Sequence, residues 1–440
     1  MFTLTMKRSA LFAALHVLVP LVLATSESQV SLSSLSSNSY NQPHLSSTFD
    51  NGYDDVDFDE PRLVHFIVED SHGDAVMLEE PVWVTERVKL DSKRTGDGYI
   101  DITEHPNYNP SRYSAAPSPT HVYHPPNSTI VPQILPLLST QEQRSNLEIF
   151  TSFHTRYYKS KTGHASSRWL YQRVLDYTGE YATDALREAV GIELVLYEHK
   201  GFKQESVIIR LIPRRSLNSS ESVERLHEIT IIGAHCDSIN NENPFYRSPG
   251  ADDDGSGTIT ILEAYRAILQ NGYVPLSPLE FHFYAAEEGG LLGSLDISDA
   301  YVKAGKDVRG MIEFDMTVRF VAPFDLVLAW VAAGRPEEIG VVMNGADLAL
   351  SKYTKLLIEK YLDIPWIETR YPGRAASDYM AWTMAGYQSS HVLEGAWEGV
   401  NNRNPHQVTD SIDVSPEFSF EHIMRFTQLA VAFAVELSSY

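Results

Sequence analysis

The chain has 440 residues, of which 43% are hydrophobic, and its formal net charge at pH 7 is -23. This length and apolar content allow one large buried core with a smaller appendage. The acidic balance argues against binding nucleic acid through phosphate contacts, and the single cysteine, Cys236, excludes a disulfide within the chain.

The first 25 residues are typical of a cleaved export signal. Lys7 and Arg8 precede an apolar run at residues 10–23, and small residues follow at 24–26. Because this run is short for a membrane anchor, we expect a secreted, extracellular protein.

Residues 26–126 differ in composition from the rest of the chain. The Ser-rich stretch at 26–47 has almost no large apolar residues to offset the entropy cost of ordering, so we expect it to be disordered. Short apolar runs at 63–68 and 82–84 predict strands of a small region. The dibasic pair Lys93-Arg94 is a candidate site for a processing protease, although a solvated turn explains it equally well.

The main domain is predicted to span residues 127–440, after a boundary rich in Pro and His at 117–126. Apolar residues recur with helical spacing at 145–160, 165–177 and 182–190, which predicts three helices. The sequons at Asn127 and Asn218 fit glycosylation on a secretory route.

Buried strands are predicted at 206–212, 228–233 and 279–285, with a helix at 257–270 between the last two. Helices and buried strands then alternate to the end of the chain. We therefore predict an α/β fold with a mixed, centrally parallel β-sheet sandwiched by helices. Such sheets place ligands at the carboxyl ends of their strands.

The strand at 228–233 leads into the sequence His235-Cys-Asp237. The His and the Asp lie on the same side if the strand continues, a spacing that suits a metal-bound imidazole oriented by a carboxylate. A histidine that is merely hydrogen-bonded at a strand end is the more common explanation of this motif alone.

Three consecutive acids, Asp252, Asp253 and Asp254, lie in a Gly-rich loop before the predicted helix at 257–270. Their mutual repulsion is only partly relieved by the amino end of that helix. A bound cation would relieve the rest, while a solvated acidic turn explains the loop equally well.

Glu287 and Glu288 follow the predicted strand at 279–285 directly and enter a glycine turn. Neighbouring side chains diverge, so one carboxylate can bind a metal while the other acts as a general base towards water. Pairs of Glu on the surface are common, but pairs that end a buried strand are much less so.

Two later positions complete the candidates. Asp315 is a lone acid at the end of an apolar strand, costly to bury without a cation or donors, although a hydrogen-bonded Asp is as plausible. His406 is a further candidate ligand, with Asp410 as a nearby support.

The candidate set combines two histidines with several carboxylates and contains no pair of thiolates. This composition suits Zn²⁺ in a catalytic setting. Two ions bridged by one carboxylate, roughly 3.5 Å apart, would hold a hydroxide between them and polarise a carbonyl group. The motifs therefore predict metal-assisted hydrolysis.

Together, the motifs resemble the co-catalytic zinc exopeptidases of metallopeptidase family twenty-eight, which include secreted leucine aminopeptidases of fungi and bacteria. The resemblance covers residues 147–438, with five motifs in the family's order. It implies a zinc-exopeptidase fold of the phosphorylase/hydrolase-like type. It also implies a secreted enzyme that hydrolyses the amino-terminal residue, preferably hydrophobic, from peptides through a hydroxide activated by two zinc ions. Peptides with free amino termini are then its partners, and we expect a monomer that binds neither nucleic acid nor membranes.

In that family the ligands are a His, a bridging Asp, a Glu, an Asp and a final His. Carried over in this order, they fall on His235, Asp253, Glu288, Asp315 and His406. The resemblance implies that Asp253, Glu288 and His406 hold one ion. Asp253, Asp315 and His235 would then hold the other.

The same resemblance assigns supporting roles. Glu287 matches the family's general base, and Asp237 matches the partner that orients His235. Asp378 belongs to the family's Ser-Asp-His element, in which Tyr379 here replaces the usual His.

Substrate contacts are expected from four residues. Arg374 replaces a Tyr that donates to the tetrahedral intermediate in relatives, and an Arg can donate to the same oxyanion. Met316, Leu393 and Trp397 are expected to form a hydrophobic pocket. Relatives also carry a propeptide that assists folding or inhibits, a role that residues 26–126 can fill, which would make the chain a zymogen.

Two rival functions compete with this interpretation. A glutaminyl cyclase or a carboxypeptidase on the same scaffold is the first, but cyclases keep one zinc, whereas all five ligand positions and Glu287 are intact here. A non-catalytic binding module that lost its activity is the second, and the complete ligand set argues against it.

Overall fold

The computed structural model describes residues 57–69, 75–77, 80–106, 121–214, 227–318, 337–371, 375–400, 403–414 and 418–439. The predicted export signal, the Ser-rich stretch, Asn218 and Arg374 lie outside these residues. Among the described helices, none combines the length and the hydropathy that crossing a membrane requires.

A small antiparallel sheet with one helix precedes the main domain. Its elements are β1 (Pro61–Glu69), β2 (Ala75–Met77), β3 (Val82–Thr85), α1 (Glu86–Arg94) and β4 (Tyr99–Asp101). Strand β1 pairs with all three other strands. The helix begins where the side chain of Thr85 accepts a hydrogen bond from the N–H of Val88, which satisfies one of the free donors of its first turn.

The main domain is built on an eight-stranded sheet. Its strands are β5 (Val190–Tyr197), β6 (Ser206–Pro213), β7 (Glu228–His235), β8 (Leu279–Tyr284), β9 (Asp307–Phe314), β10 (Ile339–Val342), β11 (Trp366–Thr369) and β12 (Ser389–Leu393). They follow the order β11-β10-β12-β9-β7-β8-β6-β5. The central strands β12, β9, β7 and β8 are parallel to one another, with antiparallel pairs on either side. Burial on both faces explains their continuous apolar runs.

Helices cover both faces of this sheet. They are α2 (Val131–Ile134), α3 (Thr140–Phe150), α4 (Lys161–Tyr181), α5 (Asp184–Ala189), α6 (Gly255–Asn271), α7 (Leu292–Lys303), α8 (Leu348–Tyr361), α9 (Tyr379–Met384) and α10 (Phe420–Ser438). Ile208 and Ile209, adjacent in β6, belong to two different core clusters, as expected for side chains on opposite faces of a strand. One cluster includes α4, α6, α8 and α10, and the other includes α7, α9, β1 and β4. The small amino-terminal sheet therefore shares a core with the main domain.

The centrally parallel α/β fold predicted from the sequence is confirmed. The predicted helix at 145–160 is wrong in its bounds, because the side chain of Ser139 caps a helix that spans Thr140–Phe150. Turns follow that helix up to residue 160. The division of the chain into signal, propeptide and catalytic domain stays a prediction.

Candidate metal centre and active site

Three adjacent parallel strands, β8, β7 and β9, end at the same edge of the sheet. His235 is the last residue of β7, and Asp315 directly follows β9. Glu287 and Glu288 follow β8 in a turn that leads into α7. The topology thus gathers these side chains at one place, where ligands of parallel sheets are usually bound.

The three acids in the loop before α6 have different contacts. Asp254 caps the helix by accepting the N–H of Gly257 at 2.8 Å, and Asp252 accepts the N–H of Val318 at 3.0 Å. The middle acid, Asp253, instead faces two imidazole rings. Its Oδ1 lies 3.1 Å from Nε2 of His235, and its Oδ2 lies 2.8 Å from Nε2 of His406.

Two groups of potential ligand atoms share Asp253, and within each group these atoms lie within 4.8 Å of one another. The groups are His235, Asp253 and Asp315, and Asp253, Glu288 and His406. The structure therefore brings together all five residues that the resemblance marks as ligands, divided as expected.

The residues present fit a divalent metal. Oε1 of Glu288 and Oδ1 of Asp315 are buried without a hydrogen-bond partner among the described residues. Burying a carboxylate oxygen without a donor is costly, and a cation would remove that cost. Imidazoles and carboxylates without a thiolate are also a ligand set that zinc accepts in catalytic sites.

The pKa shifts of these groups show that the site favours positive charge next to its carboxylates. Burial raises the pKa of Asp253, but His406 and His235 outweigh it and hold the pKa well below its usual range. Burial lowers the pKa of His406, but Glu288 and Asp253 raise it to about 10. Each group of carboxylates therefore stabilises a cation beside it.

Asp237 connects both sides of the site. Its Oδ1 lies 3.3 Å from Nδ1 of His235, and its two oxygens accept the N–H groups of Glu287 and Glu288 at 3.0 and 3.1 Å. Asp378, the other predicted support, is buried and accepts a hydrogen bond from Ser294. Asp237 thus takes the place expected for the residue that orients His235.

Asp410 holds the backbone of the loop that carries Asp253. Its carboxylate accepts the backbone N–H groups of Asp252 and Asp253 at 2.9 and 3.1 Å. Asp315 is held in a similar way, because Oγ of Ser377 donates to its Oδ2 at 2.8 Å.

Sequence reasoning missed Arg156. Its buried guanidinium donates to the carbonyl groups of Cys236 and Gly250, at 3.0 and 2.8 Å, and to that of Pro249. It therefore ties the loop after β7 to the loop that carries Asp253.

A cavity of about 490 Å³ opens beside the two groups. Glu287, Met316 and Trp397, the residues predicted as the base and as part of the pocket, line it. Leu393 is fully buried in β12 and is not among the described residues that line the cavity. Burial raises the pKa of Glu287 well above its usual range.

Tyr379, which replaces the family's usual His, belongs to an aromatic stack. The buried ring of His391 is nearly parallel to those of Tyr371 and Tyr379, with ring centroids 5.2 and 4.9 Å away, and the two tyrosine centroids are 6.5 Å apart. Among the described residues, His391 belongs to neither group of potential ligands.

The fold and the site together define a metal-dependent hydrolase of the α/β class. Residues 216–431 match Peptidase family M28. Leucine aminopeptidase 1 of Grosmannia clavigera is 38% identical over 403 residues, which cover 90% of each chain. Leucine aminopeptidase 1 of Chaetomium globosum is 38% identical over 81% of this chain and 82% of that protein.

Solved structures agree with this fold. The LapA aminopeptidase of Legionella pneumophila has a TM-score of 0.68, with 22% identity, over 87% of this chain and 99% of that one. LapB of Legionella pneumophila has a TM-score of 0.65, with 22% identity, over 86% of this chain and all of that one.

The chain belongs to Peptidase family M28. It is a hydrolase, a zinc-dependent aminopeptidase, and the family and the enzyme class predicted from the sequence are confirmed.

Proposed function

We propose that this enzyme removes the amino-terminal residue, preferably a hydrophobic one, from peptides with a free amino terminus, and that it holds two zinc ions per subunit. The observation that carries the proposal is the position of Asp253, whose two oxygens face His235 on one side and His406 on the other. A carboxylate in that position is suited to bridge two ions.

Each side of the bridge has its own ligands. His235 and Asp315 complete the first group, and Glu288 and His406 complete the second. When bound, two zinc ions supply Lewis acidity, which polarises a peptide carbonyl and lowers the pKa of water.

Glu287 is the proposed general base. It lines the cavity next to both groups, and its backbone N–H is held by Asp237. In this position its carboxylate takes a proton from the attacking water and passes it to the leaving amine.

The preference for a hydrophobic first residue rests on the cavity walls. Met316 and Trp397 line the cavity next to Glu287 and offer apolar surface to a substrate side chain. Met316 has a left-handed backbone (φ 56°), and its carbonyl group accepts the N–H of Glu394 at 2.9 Å. Such conformations are costly for residues other than glycine and concentrate at functional sites.

The cellular setting is part of the proposal. We propose secretion to the extracellular space, glycosylation, and a monomeric enzyme whose residues 26–126 act as a propeptide. The apolar run at 10–23 and the exposed sequon at Asn127 support this setting.

The test is an assay of the purified enzyme on matched peptides with free and acetylated amino termini. We expect release of the first residue from the free peptides, fastest for Leu or Phe, and no release from the acetylated ones. Equal cleavage of both sets would overturn the aminopeptidase assignment. A faster release of charged first residues would instead refute the hydrophobic preference.

A further inference from the structure

Lys93, in the last turn of α1, reaches the candidate metal centre. Its Nζ forms an ion pair with Oε2 of Glu288 and also lies 3.3 Å from the carbonyl oxygen of Glu288. Its side chain is only 19% exposed, so the solvated turn considered from the sequence does not describe this residue.

Glu288 belongs to the group formed with Asp253 and His406. The oxygen of Glu288 that pairs with Lys93, Oε2, is also the one that lies 3.2 Å from Nε2 of His406. A divalent ion at the same carboxylate would repel that ammonium strongly at such short range. Lys93 and a metal ion therefore compete for this group.

The end of α1 is fixed on the loop that faces His406. Arg94 donates to the carbonyl groups of Asn241 and Glu242, at 3.1 and 3.2 Å. The N–H of Asn241 in turn donates to the carbonyl group of His406 at 3.0 Å. The contacts of Arg94 therefore fix the part of α1 that carries Lys93 beside the site.

A second contact holds the amino-terminal sheet beside the base. The N–H of Asp101 in β4 donates to the carbonyl group of Gly290 at 3.0 Å, in the turn that follows Glu287 and Glu288. Lys93 and Tyr99 also line the cavity itself. The amino-terminal region therefore forms part of the wall that a substrate would meet.

We propose that Lys93 is an internal inhibitor whose ammonium takes the cation position of the group Asp253, Glu288 and His406. This inference rests on the proposed two-metal function. The full-length chain then binds one tightly held zinc ion, at His235, Asp253 and Asp315, and turns over slowly.

The position of the dibasic pair provides the route to activation. Arg94, Thr95 and Gly96 are exposed at the end of α1. A protease that recognises paired basic residues can bind Lys93 and Arg94 there when local opening releases their contacts. Hydrolysis of the bond after Arg94 adds one water molecule and leaves a new carboxylate on Arg94 and a new amine on Thr95. Lys93 then lies next to a free chain end and is no longer held from both sides.

The test compares metal content in the full-length chain and in three variants, after equilibration with zinc and removal of loosely bound ions. Lys93→Met removes the ammonium with little change in length, and Lys93→Arg keeps a cation. Arg87→Met is the matched control, since Arg87 lies on the same helix with a side chain that is 60% exposed.

We expect one tightly bound ion in the wild type, in Lys93→Arg and in Arg87→Met, and two in Lys93→Met. Turnover of Lys93→Met should exceed that of the wild type at least about tenfold, because the second proposed zinc ion then adds its Lewis acidity to the site. Two ions already present in the wild type, with no gain in Lys93→Met, would overturn the inference but leave the aminopeptidase assignment intact. Two ions in Lys93→Met without release of any first residue would instead refute the proposed function.

Cleavage gives a second measurement that needs no variant. The folded wild-type chain is treated briefly with a protease specific for paired basic residues, and the cut after Arg94 is mapped by mass spectrometry. We expect zinc content to rise from one to two ions as this cut accumulates. A complete cut with unchanged zinc content and unchanged turnover would contradict the role of Lys93.

Discussion

The carboxylate of Asp237 accepts a hydrogen bond from the backbone N–H of Glu287 at 3.0 Å. The same oxygen lies 3.3 Å from Nδ1 of His235. One carboxylate therefore fixes the end of β7, where His235 lies, against the turn after β8, where Glu287 lies. Asp237 thus adds to the backbone pairing of β7 with β8 in setting the relative position of the proposed ligand and the proposed base.

Asp237→Asn should weaken zinc binding about 10- to 100-fold, the usual effect of losing a partner that orients a histidine ligand. The amide keeps the size of the side chain but loses its charge and one of its two acceptors. Competition with a chelator of known affinity measures the effect. Zinc affinity equal to that of the wild type would show that Asp237 does not orient His235.

Glu287→Ala should lower turnover of an aminoacyl anilide by a factor of roughly 10² to 10⁴, the contribution typical of a general base. The bound zinc should remain, because Glu287 belongs to neither group of potential ligands. Glu398→Gln, at an exposed position, is the control and should keep full activity. Nearly full activity in Glu287→Ala would mean that another group accepts the proton.

His105 should make the stability of the protein depend on pH. Burial lowers its pKa, but the carboxylates of Asp296 and Asp299, 3.4 and 3.1 Å from its ring nitrogens, outweigh this effect and raise the pKa to about 9. The pKa of a histidine in the unfolded chain is about 6.5. The stabilisation is therefore fully present below pH 6.5 and is lost as the pH rises through 9, by up to roughly 3 kcal/mol.

Urea unfolding between pH 6 and pH 9.5 measures this effect. His105→Gln should be less stable than the wild type at pH 6, and the difference should disappear near pH 9.5. His154→Gln, at an exposed position, should follow the wild-type curve. A difference between His105→Gln and the wild type that is constant across this range would contradict the predicted ion pairs.

Gly257→Ala should destabilise the protein, because a Cβ at this position would lie 2.0 Å from the carbonyl oxygen of Phe314 and within 2.6 Å of the carboxylate of Asp254. The cost is expected to be at least 1 to 3 kcal/mol, as for other overpacked sites. Gly179 is the matched control, since it lies in α4 with no atom within 4 Å of the added Cβ. Gly179→Ala should stabilise the protein by up to about 1 kcal/mol. Thermal unfolding of both variants tests the contrast, and equal effects would contradict it.

The sequence predicted best those features that depend on local patterns. A carboxylate or an imidazole at the end of an apolar strand stands out from its neighbours, and parallel strands bring such ends together. His235, Asp315 and the pair Glu287 and Glu288 were marked as candidates in this way. The choice of Glu288 within its pair, and of Asp253 among three adjacent acids, required the family resemblance, because neighbouring acids differ only in the contacts that the folded loops give them.

Features that depend on distant contacts were missed. Arg156 lies 80 positions before Cys236, and its role rests on backbone carbonyl groups, which leave no pattern in the sequence. Lys93 was assigned to a region apart from the site, because no motif connects it with Glu288. Its contact follows from the way in which β1 and β4 share a core with α7 and α9.

The two-zinc centre is best tested by anomalous diffraction from crystals of the Lys93→Met chain loaded with zinc. We expect two zinc peaks roughly 3.5 Å apart, one on each side of Asp253, with His235 and Asp315 at the first and Glu288 and His406 at the second. A single peak, or two peaks that do not share Asp253, would refute the two-zinc centre.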